Sequence, residues 1–175
     1  MISIKKAGPE HAVLLSELAA QTFLESHGNS ASPEDIAAYV AAHYTPEILK
    51  TELEHPANIY HIQYYNKQAV GFSKIVLNAP FEGSSSPAVA KLERIYLLKG
   101  YYGTNLGPAL MDFLLHLMKK EEQVGVWLYV WKENQRAIRF YEKKGFTING
   151  SYDFPITDTH TNPNHRMYLS FSASE

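Results

Sequence analysis

Residues 92–118, LERIYLLKGYYGTNLGPALMDFLLHLM, run from an apolar stretch through a glycine-bearing turn into helical spacing. Gly100, Gly103 and Gly107 remove side chains where the backbone has to turn sharply. A helix that opens at Leu106 presents N–H groups with no intrahelical partner, together with the positive end of its dipole. These features suit a phosphate group, and they predict a phosphorylated cofactor. Taken alone, the same residues could form a plain strand-to-helix connection, so a second motif has to decide.

Other chemistries are poorly served. Eight histidines are scattered at His11, His27, His43, His55, His61, His116, His160 and His165, without HExxH spacing or cysteine support, so no metal site is expected. Zero cysteines also remove disulfides and a thiol nucleophile, and fit a reducing compartment. A GxSxG turn and a dinucleotide fingerprint are both missing, and no Gly-Lys-Ser/Thr follows the glycine run as a Walker loop demands.

The positioning elements read as mixed helix and strand. Ile2–Lys5 alternates like a short strand, and Pro9 opens a helix in which Leu14, Leu15, Leu18 and Phe23 keep helical spacing until Gly28. Ser32 before Pro33, and Thr45 before Pro46, each pair a capping hydroxyl with a first-turn proline, which predicts two short helices. Asn58–Tyr65 and Ala69–Leu77 form an expected antiparallel hairpin around Asn66 and Lys67, and 78–87 an expected mobile connection. Val89–Leu97, Leu106–Glu122 and Val124–Val130 follow as strand, amphipathic helix and strand. A helix over Asn134–Lys144 ended by Gly145 precedes strands at Phe146–Phe154 and His165–Phe171. The fold class is α/β (α+β): a mixed, mostly antiparallel central sheet flanked by helices, with at least one parallel crossover and no disordered tail.

Size and charge narrow the partners. A chain of 175 residues that is 45% hydrophobic can bury one substantial core, and a single domain over 1–175 is expected. With 16 Lys and Arg against 18 Asp and Glu, the net charge of -2 gives no general attraction to nucleic acid or an anionic membrane. No apolar run approaches the roughly 20 residues of a membrane span, and MISIKKAGPEHA lacks a signal-peptide pattern, so a cytoplasmic location is expected.

Two motifs in order, LERIYLLKGYYGTNLGPAL and ENQRAIRFYEKKGF, make the chain resemble the GNAT family of N-acetyltransferases over most of its length, most closely from Leu92 to Phe146. The wording LER before IYL, followed by NQRAIRFYEKKGF, is most similar to the polyamine and diamine N-acetyltransferase branch. The resemblance implies an acetyl-CoA-dependent transfer of an acetyl group to a primary amine. In that family the strand end, here Ile95, Tyr96 and Leu97, pairs with the pantetheine arm. The loop, here Tyr102, Gly103, Thr104, Asn105, Leu106 and Gly107, gives backbone N–H groups to the pyrophosphate. Tyr102 stands where the family usually has arginine or glutamine, and Asn105 where it usually has glycine. Asparagine tolerates a left-handed backbone, so the loop is expected to survive that change.

Acetyl transfer from a thioester needs a neutral amine, stabilisation of the oxyanion and a proton for the departing thiolate. By resemblance, Tyr141 is the general acid, the Leu97 N–H the oxyanion donor, and Glu93 the acceptor of the amine's proton. Each has a plainer reading as well: Tyr141 as a core aromatic beside Phe140, and Glu93 as a strand carboxylate paired with Lys91 or Arg94. Asn134 would meet cofactor or cap its helix, while Arg136 and Lys143 would meet nucleotide phosphates or lie solvated.

For the acceptor, resemblance points to the N-terminal helices and the loops near the last strands, where Phe23, Tyr39 and Tyr44 with Glu93 could bind an amine cation. The same aromatics could equally be packing residues. A small-molecule amine, a polyamine among others, stands beside a peptide N-terminus, an amino acid or an amino-sugar. Lacking cysteine, the chain is expected to transfer directly in a ternary complex, with no acetyl-enzyme. A non-catalytic CoA-binding sensor is the competing class, and the family leads one to expect a homodimer.

Overall fold

The computed structural model describes residues 1–171. Among these residues seven strands and five helices follow in order: β1 (Ile2–Lys6), α1 (Ala12–His27), α2 (Pro33–His43), α3 (Pro46–Glu54), β2 (Asn58–Tyr65), β3 (Gln68–Val76), β4 (Val89–Leu97), α4 (Leu106–Lys120), β5 (Gly125–Trp131), α5 (Gln135–Lys143), β6 (Thr147–Pro155) and β7 (Thr161–Ser170). The strands form one sheet in the order β1-β2-β3-β4-β5-β7-β6.

By its contacts the chain divides into two compact units, one built of Met1–Ile75 with Arg94–Leu114, the other of Val76–Glu93 and residues from Leu115 onward. In the first, β1 pairs antiparallel with β2, Ile2 opposite Tyr65 through Lys6 opposite His61. The β2–β3 hairpin turns on Asn66 and Lys67, both at positive φ (50° and 71°), the conformation a two-residue hairpin loop needs to match strand twist. Ser32 and Thr45 cap α2 and α3, their hydroxyls accepting from Asp35 N–H (3.1 Å) and Ile48 N–H (3.3 Å), and a proline follows each. Leu15, Ile36, Leu49, Phe72 and Leu110 are fully buried in this unit.

In the second unit β4 begins parallel to β5, Val89 opposite Gly125 to Lys91 opposite Trp127. Strand β5 pairs antiparallel with β7, and β7 with β6. Val89, Ala90, Val126, Leu128, Met118 and Met167 are among its fully buried apolar residues.

Three expectations change. Helix α1 proper begins at Ala12, because Pro9–His11 form a 3-10 turn first. Strand β7 begins at Thr161, before the expected His165, and accommodates Pro163, whose carbonyl accepts from Lys132 N–H (2.9 Å). The 78–87 connection is bonded at both ends: Asn78 N–H donates to Gln123 Oε1 (3.0 Å), Ala79 N–H to Val89 O (2.8 Å) and Ala88 N–H to Ser86 Oγ (3.1 Å). Satisfied backbone groups, missed when GSSSP is read by composition alone, hold it in place. The expected ordered tail falls partly on 172–175, outside the described residues.

Candidate active site

The strand end and the loop lie in the first unit. From Glu93 to Leu98 every residue is half-buried, in place of the buried-exposed alternation of a covered strand. Leu98 N–H donates to Val70 O (2.8 Å), and a 3-10 turn, Lys99–Tyr101, then redirects the chain. That turn is tied to α1, where Glu25 Oε1 accepts from Lys99 N–H (2.8 Å). Thr104 braces the loop from inside: its hydroxyl donates to Tyr101 O (2.6 Å) and accepts from Leu106 N–H (3.3 Å). The left-handed residue is Gly103, at φ 77°; Asn105 keeps a negative φ, so its tolerance of that conformation is not called upon.

Some of the loop's backbone N–H groups are already paired and others are not. Tyr102 N–H is spent on Lys99 O (3.1 Å) and Leu106 N–H on Thr104, which removes two of the expected donors. Gly103, Thr104 and Asn105 give their backbone N–H groups to no acceptor among the described residues, and all three are exposed. They directly precede α4, a 15-residue helix whose first-turn amides and dipole add to the same positive end. The residues present therefore fit a diphosphate.

The aromatics expected at the acceptor are packed instead into the first unit's core. Phe23, Tyr39 and Tyr44 are 3%, 7% and 5% exposed. Phe23 stacks on Tyr39 (4.7 Å) and on His27 (4.8 Å), Tyr39 stacks on His43 (4.0 Å), and Arg94 lies over Tyr44 at 5.2 Å. Burial pushes His27 down to about 4, so this ring stays neutral near pH 7.

Beside them lies a charged network the sequence reading did not anticipate. Glu52 Oε1 accepts from Lys74 Nζ (2.9 Å), Arg94 Nη1 (3.3 Å) and Tyr60 Oη (2.5 Å), and Arg94 also donates to Tyr60 Oη (2.5 Å). Burial alone would raise the Glu52 carboxyl, but the Arg94 charge, the Tyr60 hydroxyl and Lys74 outweigh it and hold it below the usual range.

The second unit holds the proton-transfer candidates. Glu93 lies 3.6 Å from Lys91, whose ammonium rests over Trp127 (5.0 Å) and Tyr129 (5.6 Å). Tyr129 stacks in turn on Tyr152 at 4.5 Å, making an aromatic face on β5 and β6 that alternation alone left unassigned. Tyr141 sits on α5 between Phe140 and Phe146, 8% exposed. Its hydroxyl makes no hydrogen bond among the described residues, and burial, against the pull of Arg136, pushes the phenol well above its ordinary value. Asn134 caps α5, its side chain accepting from Ala137 N–H (3.2 Å). Arg136 and Lys143 are exposed in the first and last turns of that helix.

The acetyltransferase (GNAT) family model matches residues 16–146. The chain belongs to this family: it is an N-acetyltransferase, and acetyl-CoA is its acetyl donor. An uncharacterized N-acetyltransferase of Mycobacterium bovis is 32% identical over 148 residues, 85% of this chain and 90% of that protein. A spermidine N(1)-acetyltransferase of Thermoplasma acidophilum is 27% identical over 153 residues, 84% and 89% of the two chains. The crystal structure of the PaiA N-acetyltransferase from Thermoplasma acidophilum in complex with coenzyme A superposes with a TM-score of 0.79 at 22% identity, over 98% of this chain and 99% of that one. That likeness is one of fold.

Proposed function

We propose that this acetyltransferase acts on a small primary amine, a polyamine among the candidates, by direct attack in a ternary complex, and that the whole chain, 1–175, works as one domain. The observation that carries the reading is the run of three uncommitted amides, Gly103, Thr104 and Asn105, ahead of α4. In this reading they hold the donor's diphosphate with Gly107, while Ile95, Tyr96 and Leu97 meet its pantetheine arm through their backbone. Acetyl-CoA supplies an acyl group already activated as a thioester.

The remaining roles belong to this chain's own side chains. Glu93, half-buried and close to one ammonium already, receives a proton from the cationic amine and leaves it nucleophilic. The N–H of Leu97 meets negative charge growing on the carbonyl oxygen. As the thioester C–S bond breaks, Tyr141 gives its proton to the departing thiolate sulfur: burial keeps the phenol neutral, and its hydroxyl makes no hydrogen bond among the described residues. With no cysteine in the chain, no thiol is available to carry the acetyl group.

The polyamine assignment is supported by the spermidine N(1)-acetyltransferase at 27% identity; the buried Phe23, Tyr39 and Tyr44 lend it nothing. A homodimer is the assembly we expect, and light scattering on the purified chain tests it. The function itself is tested by a screen of amines read by thiol release. Turnover of spermidine or another small primary amine supports the reading, whereas acetylation confined to peptide N-termini overturns it.

A further inference from the structure

Strand β2 alternates across the sheet. Tyr60 and Ile62 face one side; His61, Gln63 and Tyr65 face the other, where His61 meets Phe113 of α4 (5.0 Å) and Tyr65 meets Tyr101 (6.1 Å). Gln63, between them, is fully buried, and its Nε2 donates to Leu106 O at 2.8 Å, joining residues 43 apart in sequence. Its Oε1 is buried without a hydrogen-bond partner among the described residues. A buried amide with half its capacity unmet is costly, and methionine would fill nearly the same volume without that cost. The benefit that retains glutamine therefore lies in the bond it makes.

That bond acts on one peptide plane. Leu106 is the first residue of α4, and its carbonyl shares a planar peptide with the N–H of Gly107, the two pointing in opposite directions. Holding Leu106 O down onto Gln63 aims the Gly107 N–H out of the helix start, beside the uncommitted amides of Gly103, Thr104 and Asn105. Across the hairpin, Gly71 leaves room for this arrangement. A Cβ there would lie 2.7 Å from Tyr96 O and 3.4 Å from Gln63 Oε1. Resting on the diphosphate reading above, we propose that Gln63 is a positioning residue for the donor's diphosphate, orienting the Leu106–Gly107 peptide from beneath without touching the ligand.

The test uses Gln63→Met, which keeps the volume, and Gln63→Glu, which keeps the shape but loses the donor. Acetyl-CoA is compared with S-acetylpantetheine, which lacks the diphosphate. The expected result is an acetyl-CoA KM raised about tenfold in both variants, with the amine KM and the kcat/KM for S-acetylpantetheine within twofold of wild type. Equal losses with both donors, an unchanged acetyl-CoA KM, or failure of both variants to fold would each overturn the proposal and return Gln63 to the core. Calorimetry of coenzyme A on the wild type separates the two claims. No binding there ends the diphosphate reading and this proposal together, while wild-type binding matched by both variants ends this proposal alone.

Discussion

Tyr141 and Glu52 show how burial without and with cationic partners sets opposite fates for two ionisable side chains. The phenol of Tyr141 makes no hydrogen bond among the described residues, so Tyr141→Phe should fold normally yet lower kcat roughly 100-fold, the scale of one general acid, with little change in acetyl-CoA KM. Because burial raises the folded phenol above the unfolded value of about 10, the proton-bearing form persists through pH 10. A kcat–pH profile should show no alkaline fall attributable to this group below that point. Glu52 is held the other way, by Arg94, Tyr60 and Lys74. Its stabilising effect is complete above the unfolded glutamate value near 4.3 and is lost as pH falls through its lower folded value. Glu52→Gln should destabilise the fold by about 1–3 kcal/mol in urea titrations, since it leaves two cations sharing a neutral partner in a half-buried site.

Among the elements, β4, the loop and α4 were the most legible, because glycines, an apolar strand and an amphipathic helix encode backbone shape directly. Within the loop the left-handed residue proved to be Gly103, since Asn105 follows it into the helix start. Gln63 was illegible for a physical reason: a polar residue alternating with Tyr60, Ile62 and Tyr64 reads as the solvent face of a half-covered strand, and only the structure brings α4 over it. The acceptor aromatics are ambiguous by type, as Phe23, Tyr39 and Tyr44 suit both a cation-binding wall and a packed helix pair, and the structure shows them buried. Gly71 carries the prediction at this scale. Gly71→Ala would push a methyl to 2.7 Å from the Tyr96 carbonyl, so it should raise the KM of S-acetylpantetheine as well as that of acetyl-CoA. This disturbance of β4 distinguishes it from the Gln63 variants in side-by-side kinetics.

At the scale of the molecule, two neutral histidines govern the acid side of stability. Burial takes His27 and His61 down to about 4, with Lys6 adding to the shift at His61, so both are uncharged in the fold while the unfolded chain protonates near 6.5. Stability should be full above pH 6.5, decline between 6.5 and 4, and level off for these groups below that, by on the order of 3 kcal/mol each. Thermal melts across that range should flatten in a His27→Phe, His61→Phe double variant. No helix among the described residues is long and apolar enough to cross a membrane. Both tryptophans of the chain, Trp127 and Trp131, stand on β5, and Trp127 is fastened by its Nε1–H to Ala79 O at 2.7 Å. Indole fluorescence consequently watches only the unit that contains β5, leaving the one with the 102–107 loop without an indole signal. Should emission and far-ultraviolet circular dichroism trace different melting curves, the dye-free signal would already tell which half comes apart first.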